Sequence, residues 1–317
     1  MIEGDPMGDL FYWLFNMSIV GALAGLAVVL IRLIKRIPRR WIVLLWMIPF
    51  LRFLIPVGVG GKYSLMSLLS RFATRTVVIY EGELSDLTIT NTVQAADRYF
   101  PITYKVDLLA DVFHYAGIVW AIIAAALILA MVILYAATIS ELRNAEQLRD
   151  NIYCSPKVST PAVYGVLRPR IILPESCRES KDLDLIVLHE RRHIRRLDNL
   201  WRVLAFLTAA IHWFNPASWL FLKLYLEDAE LACDESLLSK LSADEHKRYA
   251  HALLSVREGK TVFASGFGGA KVRTRIERIL SYRKMTSASV IAFAALLAAI
   301  AYFLLTNASA RSIVFRF

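Results

Sequence analysis

The chain has 317 residues, 57% of them hydrophobic and 20% charged, with a formal net charge of +10. That composition excludes an ordinary soluble domain, and the length leaves room for several membrane spans plus one compact soluble domain. The positive charge does not argue for nucleic acid, because basic residues gather beside apolar runs, as in the inner loops of membrane proteins, and no helix-turn-helix or RNP-like pattern is present.

The first ten residues contain Glu3, Asp5 and Asp9 and no basic residue, the wrong start for a cleaved signal peptide. Leu10 to Ile31 is almost wholly apolar and long enough, at about 1.5 Å per residue, to cross a hydrocarbon core of about 30 Å. Arg32, Lys35, Arg36, Arg39 and Arg40, interrupted by Pro38, form a basic link that belongs inside, which puts the amino terminus outside. The second run, Trp41 to Val57, carries Pro49 and Arg52 and is the weakest span; Arg52 is expected to reach toward the outer surface. Residues 58–111 are mixed in composition and form an outer loop, in which Leu65, Leu68, Leu69 and Phe72 recur at helical spacing. Tyr115 to Thr138 is the third span, with His114 at the interface. Residues 1–138 thus form a membrane region.

Residues 139–285 read as a cytoplasmic domain of mixed α and β structure. Ile152 to Cys154 and Arg170 to Leu173 are short strands, separated by the turn formers Pro161, Gly165 and Pro169. A helix of about 18 residues is expected from near Ser180, with Asp182 and Asp184 in its first turn. It contains His189-Glu190-Arg191-Arg192-His193, an H-E-x-x-H pattern. Residues four apart share a helix face, so His189 and His193 can aim at one Zn2+ ion, while Glu190 takes a proton from the water that attacks a peptide carbonyl.

A catalytic site of this kind needs a third protein ligand from another helix. Glu230 is the favoured candidate, with Asp234 one turn on as an acceptor for a ligand histidine, although Glu227, Asp228 and Glu235 compete. Cys233 reads as a small packing residue, and Cys154, Cys177 and Cys233 are expected to stay reduced. Residues 200–222 are apolar apart from Arg202 and are broken by Pro216, so they are expected to dip into the membrane and return, which keeps both ligand helices on one side. His212, beside Trp213 and Phe214, reads as an interfacial or packing residue rather than a ligand. A helix over Asp244 to Val256, a flexible-looking segment over Ala264 to Ala270 and a basic helix over Lys271 to Lys284 lead to residues 286–317, where the last span, Ser287 to Leu305, leaves a short outer tail.

His189-Glu190-x-x-His193, His212-Trp213-Phe214-Asn215-Pro216 and Glu230-Leu231-Ala232-Cys233-Asp234 together resemble the BlaR/MecR-type membrane metallopeptidases, the antirepressor and beta-lactam signal-transducer family. Pro161-Ala162-Val163-Tyr164-Gly165 and Arg168-Pro169-Arg170-Ile171-Ile172-Leu173-Pro174 add to the likeness. It implies a mainly α bacterial plasma-membrane protein of about four transmembrane helices, with an inserted cytoplasmic gluzincin-like α+β zinc peptidase domain. One Zn2+ would be held by His189, His193 and Glu230, with Asp234 behind them. The resemblance also implies a substrate strand near Gly165 to Leu173, including Ile171 and Ile172, and self-cleavage around Ser265, Gly266 and Phe267, where a plain linker is the competing reading. The implied partners are a cytoplasmic protein substrate, in this family a transcriptional repressor, together with membrane lipid and either a second copy of the chain or a separate sensor protein. The family's signal transducers carry a large penicillin-binding-protein-like sensor after the last span; only a short tail follows here, so direct beta-lactam sensing is not expected. A non-catalytic membrane scaffold is the competing class, and the intact His189, Glu190, His193 and Glu230 speak against it.

Overall fold

The computed structural model describes residues 6–34, 37–55, 60–61, 107–255, 271–282 and 286–308. Most of the expected outer loop, and all of the expected self-cleavage segment at Ser265, Gly266 and Phe267, lie outside the described residues. The chain divides into two units, one of residues 1–29, 47–125 and 287–317 and one of residues 30–46 and 126–286.

The first unit is built on apolar helices. Helix α1 (Pro6–Arg32), helix α3 (Asp107–Glu141) and helix α9 (Ser287–Leu305) each provide a stretch long and apolar enough to cross a membrane. Helix α2 (Arg39–Leu54) has 16 residues, short of the roughly 20 that a span needs. Gly21 lets α1 approach α2, since a Cβ there would stand 2.6 Å from the Phe53 ring. Arg52 is buried, and it reaches the C-terminal end of α9: its Nε donates to Leu304 O and its Nη2 to Thr306 O, both at 3.0 Å. It thereby satisfies carbonyls that the end of α9 would leave without partners. Beyond it, strand β1 (Gly60–Gly61) pairs in parallel with strand β6 (Asn307–Ala308).

Among the described residues the second unit holds a four-stranded sheet and, besides the parts of α1, α2 and α3 that fall in it, five helices. The strands β2 (Glu146–Arg149), β3 (Ile152–Cys154), β4 (Ala162–Tyr164) and β5 (Arg170–Leu173) lie in the order β2-β3-β5-β4, so β4 is an edge and β5 is interior. Gly165 turns the chain from β4 toward β5 at a φ of 92°, and a Cβ there would meet Arg168 O at 2.8 Å, so glycine suits the position.

The helices are α4 (Leu183–Arg195), α5 (Asp198–Ile211), α6 (Pro216–Leu238), α7 (Ala243–Ser255) and α8 (Val272–Leu280). Helix α4 is amphipathic on two sides. Ile186, with Leu183, Val187 and Ile194, packs against Ile152, Val163, Ile171 and Leu173 of the sheet. Leu185, with Leu188, packs against Leu237, Leu238, Tyr249 and Ile279 of α6, α7 and α8. Each fully buried side chain of this kind contributes about 1.5–3 kcal/mol. The helix that carries the H-E-x-x-H pattern is therefore wedged between sheet and helices.

Helix α4 has 13 residues, shorter than the expected length. It stops because Leu197 takes a left-handed conformation, φ 57°, from which the chain reverses into α5. Residues 200–222 form a hairpin whose second leg starts cleanly: Pro216 occupies the first turn of α6, and the Asn215 side chain accepts from Ala217 N at 2.9 Å. The chain turns back at His212 to Asn215, and this return brings α6 alongside α4.

Candidate metal centre

His189, Glu190 and His193 are all buried on the inner face of α4. The His193 Nδ1 hydrogen donates to Asp198 Oδ2 at 2.6 Å. The His189 Nδ1 hydrogen donates at 2.8 Å to the Tyr249 hydroxyl, which in turn donates to Asp234 Oδ1 at 2.6 Å. With both Nδ1 atoms engaged as donors, the two Nε2 atoms face each other 3.1 Å apart, and Arg275 Nη2 lies 3.3 Å from that of His189. Two lone pairs at that distance repel unless positive charge lies close to them, and Arg275 supplies part of it on the His189 side.

Glu230 brings the complementary oxygen donors. Its Oε2 is 3.7 Å from His189 Nε2 and its Oε1 is 3.7 Å from His193 Nε2. Ligand atoms about 2.0–2.2 Å from a tetrahedral Zn2+ stand about 3.3–3.6 Å from one another. Separations of 3.1–3.7 Å therefore match a donor set of two imidazoles and one carboxylate. Arg202 Nη2 donates to Glu230 Oε1 at 2.7 Å, which accounts for the one arginine in an otherwise apolar run.

The charges point the same way. Burial works against a charged His189, yet Cys233 and Glu230 outweigh it and raise its pKa to about 10. His193 is likewise raised, against burial, by Cys233, Glu230 and Asp198. Burial alone would push the Glu230 carboxyl up, but His193, His189 and Arg275 hold it well below the usual carboxylate range. The buried Cys233 thiol is brought down to about 7 by the two histidines in spite of its burial. The pocket thus gathers buried carboxylates around two imidazoles, with Arg202 and Arg275 beside them, and the donor set suits a divalent cation.

Cys233 also lies near the histidines: ligand atoms of His189, His193 and Cys233 fall within 4.8 Å of one another. Its position is different from that of Glu230. The sulfur sits 3.6 Å from His189 Nδ1 and 3.6 Å from the His189 carbonyl, behind the ring and on the side already taken by Tyr249. Asp234 sits deeper, where Arg275 grips it through Nη2 at 2.7 Å and Nε at 2.8 Å. Arg275 Nη1 also lies 3.6 Å from Glu230 Oε2. The acidic competitors are engaged elsewhere: Asp228 and Glu227 bind Arg32, and Glu235 accepts from the Arg40 backbone.

The expected substrate strand near Gly165 to Leu173 covers the turn at Gly165 and strand β5. Ile171 and Ile172 are on interior β5, buried and paired on both sides, so they have no free edge to offer. The sheet edge is β4, beside α4. Asn199 Nδ2 donates to Val163 O at 3.0 Å and to Gly165 O at 2.9 Å, holding this edge in place. Burial and the nearby Glu190 charge raise the pKa of the Tyr164 phenol, at the end of the same strand.

Asp198, Arg202, Tyr249 and Arg275 were not legible as site residues in the sequence. Asp198 has a local signal, an acid five residues past the second histidine, that makes sense only once the helix ends at Leu197. Asp198→Asn keeps the shape and removes the charge behind His193. It is expected to weaken zinc binding about 10- to 100-fold, as read by competition with a zinc-binding dye; an unchanged affinity would mean that α4 packing alone aims the ring.

Two imidazoles one helical turn apart, a carboxylate from a facing helix and an unengaged glutamate beside them form a candidate metal site. The sequence model of the family described as BlaR1 peptidase M56 matches residues 12–279, and the chain belongs to that family. It is 29% identical over 138 residues to the regulatory protein BlaR1 of Bacillus licheniformis, across 41% of this chain and 23% of that protein. It is 28% identical over 142 residues to the methicillin resistance mecR1 protein of Staphylococcus aureus, across 41% of this chain and 24% of that protein. The chain thus spans about a quarter of the length of these curated relatives. Family and apolar helices together describe a bacterial membrane peptidase with a candidate metal site.

Proposed function

We propose that the chain is a membrane-embedded zinc endopeptidase that cuts a cytoplasmic protein, with His189, His193 and Glu230 as ligands and Glu190 as general base. The observation that carries this reading is the facing pair of Nε2 atoms, 3.1 Å apart, with the Glu230 carboxylate 3.7 Å from each. Bound zinc supplies Lewis acidity and acidifies a water molecule. Glu190 takes the proton from the attacking water and passes it to the departing amine. The backbone edge of β4 at Val163 lays the substrate in extended form beside α4, and Asn199 holds that edge. Asp198 and Tyr249 keep the histidines turned toward the metal, and Asp234 anchors Tyr249.

The basic residues at the inner ends of α1 and α2 favour the cytoplasm as the side on which the domain works, with both termini outside. Resemblance to the BlaR/MecR type supports a transcriptional repressor as substrate, and self-cleavage near Ser265, Gly266 and Phe267 belongs to the same proposal. Detergent-purified protein is expected to hold about one zinc per chain and to cut one or more proteins of a cytoplasmic extract. Chelation should abolish the cutting and added zinc restore it. Protein that binds no metal, or that cuts equally well after chelation, would remove the proposal.

A further inference from the structure

The helix that presents Glu230 to the histidines has a second acidic face. Asp228 and Glu235 are seven residues apart and so share a side of α6, whereas Glu230, Cys233 and Asp234 share another. Asp228 is completely buried. Its Oδ2 accepts from Arg32 Nε at 2.8 Å and from Trp46 Nε1 at 2.9 Å, and its Oδ1 accepts from Arg39 Nη1 at 3.0 Å. Glu227 adds Arg32 Nη2 at 2.8 Å, and Glu235 accepts from the Arg40 backbone N–H at 3.2 Å. The Trp46 ring packs on Phe221 of the same helix, with centroids 5.5 Å apart.

These partners come from one place in the chain. Arg32 ends α1, Arg39 and Arg40 begin α2, and Trp46 lies on α2. Positive-inside topology explains why residues here are basic, but not why donors of two arginines and a tryptophan converge on one buried carboxylate two residues from Glu230. A buried carboxylate needs close and complete pairing, so the contact fixes both translation and rotation of α6.

We infer that Asp228 is a positioning residue for the metal centre: it locks the Glu230 helix to the junction of α1 and α2, so that a shift of that junction moves Glu230 relative to His189 and His193. The inference rests on the metallopeptidase reading for its effect on catalysis, while the docking itself does not. A membrane helix displaced by an outside event thereby acts on the centre through two arginines and one aspartate. The cost of misplacing a reacting group by about 1 Å reaches about 100-fold in rate.

The test uses the full chain in detergent, with Asp228→Asn and Arg39→Gln compared with wild type. The second variant leaves Arg32 and Trp46 on the carboxylate and serves if the first does not fold. Glu146→Gln, in the exposed pair with Arg178, is the control. Trypsin reads the docking without reference to metal: cutting between Arg32 and Arg40 is expected to be slow in wild type and several-fold faster in both variants. Cobalt(II), loaded in place of zinc, reads the centre through its visible absorption, which is expected to shift in both variants and not in the control. Peptidase kcat should fall by about 10- to 100-fold with KM little changed, and the double variant should be no worse than Asp228→Asn. Folded variants with wild-type trypsin protection, cobalt spectrum and kcat would overturn the inference. Faster trypsin cutting in the variants, with wild-type protein that takes up no cobalt, would keep the docking and reject the metal reading.

Discussion

Glu190→Gln is expected to slow peptide hydrolysis by about 10²- to 10⁴-fold while leaving zinc content at the wild-type level. The substitution preserves shape and burial and removes only the ability to take up a proton. Glu190 is 7% exposed, packed on the inner face of α4, and its carboxylate makes no hydrogen bond or ion pair among the described residues. That distinguishes it from Glu230 and Asp234, both gripped by arginines. A carboxylate left unengaged beside His189 is available to handle a proton, and its closeness to Tyr164 places it by the β4 edge where a substrate backbone would lie. Zinc per chain by metal analysis and the initial rate on a peptide substrate, measured on the same preparations, decide the matter. Equal rates would sink the general-base role, and joint loss of zinc and rate would make Glu190 a structural support of the pocket instead.

The sequence revealed most where a single helix carries the chemistry. The H-E-x-x-H spacing fixes which residues share a face regardless of where α4 ends, so His189, Glu190 and His193 come together on the inner face of α4. The end itself was hidden, because it depends on Leu197 taking a left-handed conformation that leucine rarely adopts. Asp198 was missed for the same reason, since only that reversal folds it back on His193. Tyr249 and Arg275 reach His189 across 60 and 86 residues, and no local pattern records such a meeting. The apolar helices α1, α3 and α9 were legible because composition alone marks a span. Strand β4 was not, because Ala162 to Tyr164 lies between the turn formers Pro161 and Gly165, which mark the stretch as a loop. The choice among Glu227, Asp228 and Glu230 was open in the sequence because each lies within one turn. In the structure the arginines of α1 and α2 bind the first two.

Glu230→Ala is expected to strip the metal, whereas Cys233→Ala is expected to keep it. Both residues are on the inner face of α6, and both lie close enough to the histidines to be taken for a ligand. The tautomers separate them. His193 Nδ1 is held by Asp198 and His189 Nδ1 by Tyr249, so a shared ion must sit at the Nε2 side of both rings. Glu230 reaches that side of each, and the Cys233 sulfur approaches His189 from behind. On the proposed ligand set, loss of Glu230 leaves two imidazoles, too few for a closed catalytic zinc site. It also leaves Arg202 without the carboxylate that pairs with it. Dialysis against a mild chelator, followed by metal analysis, should leave Glu230→Ala essentially empty and Cys233→Ala at the wild-type content. A cobalt-loaded wild type with a strong thiolate-to-metal charge-transfer band would reverse the assignment, making Cys233 the ligand and Glu230 the partner of Arg202.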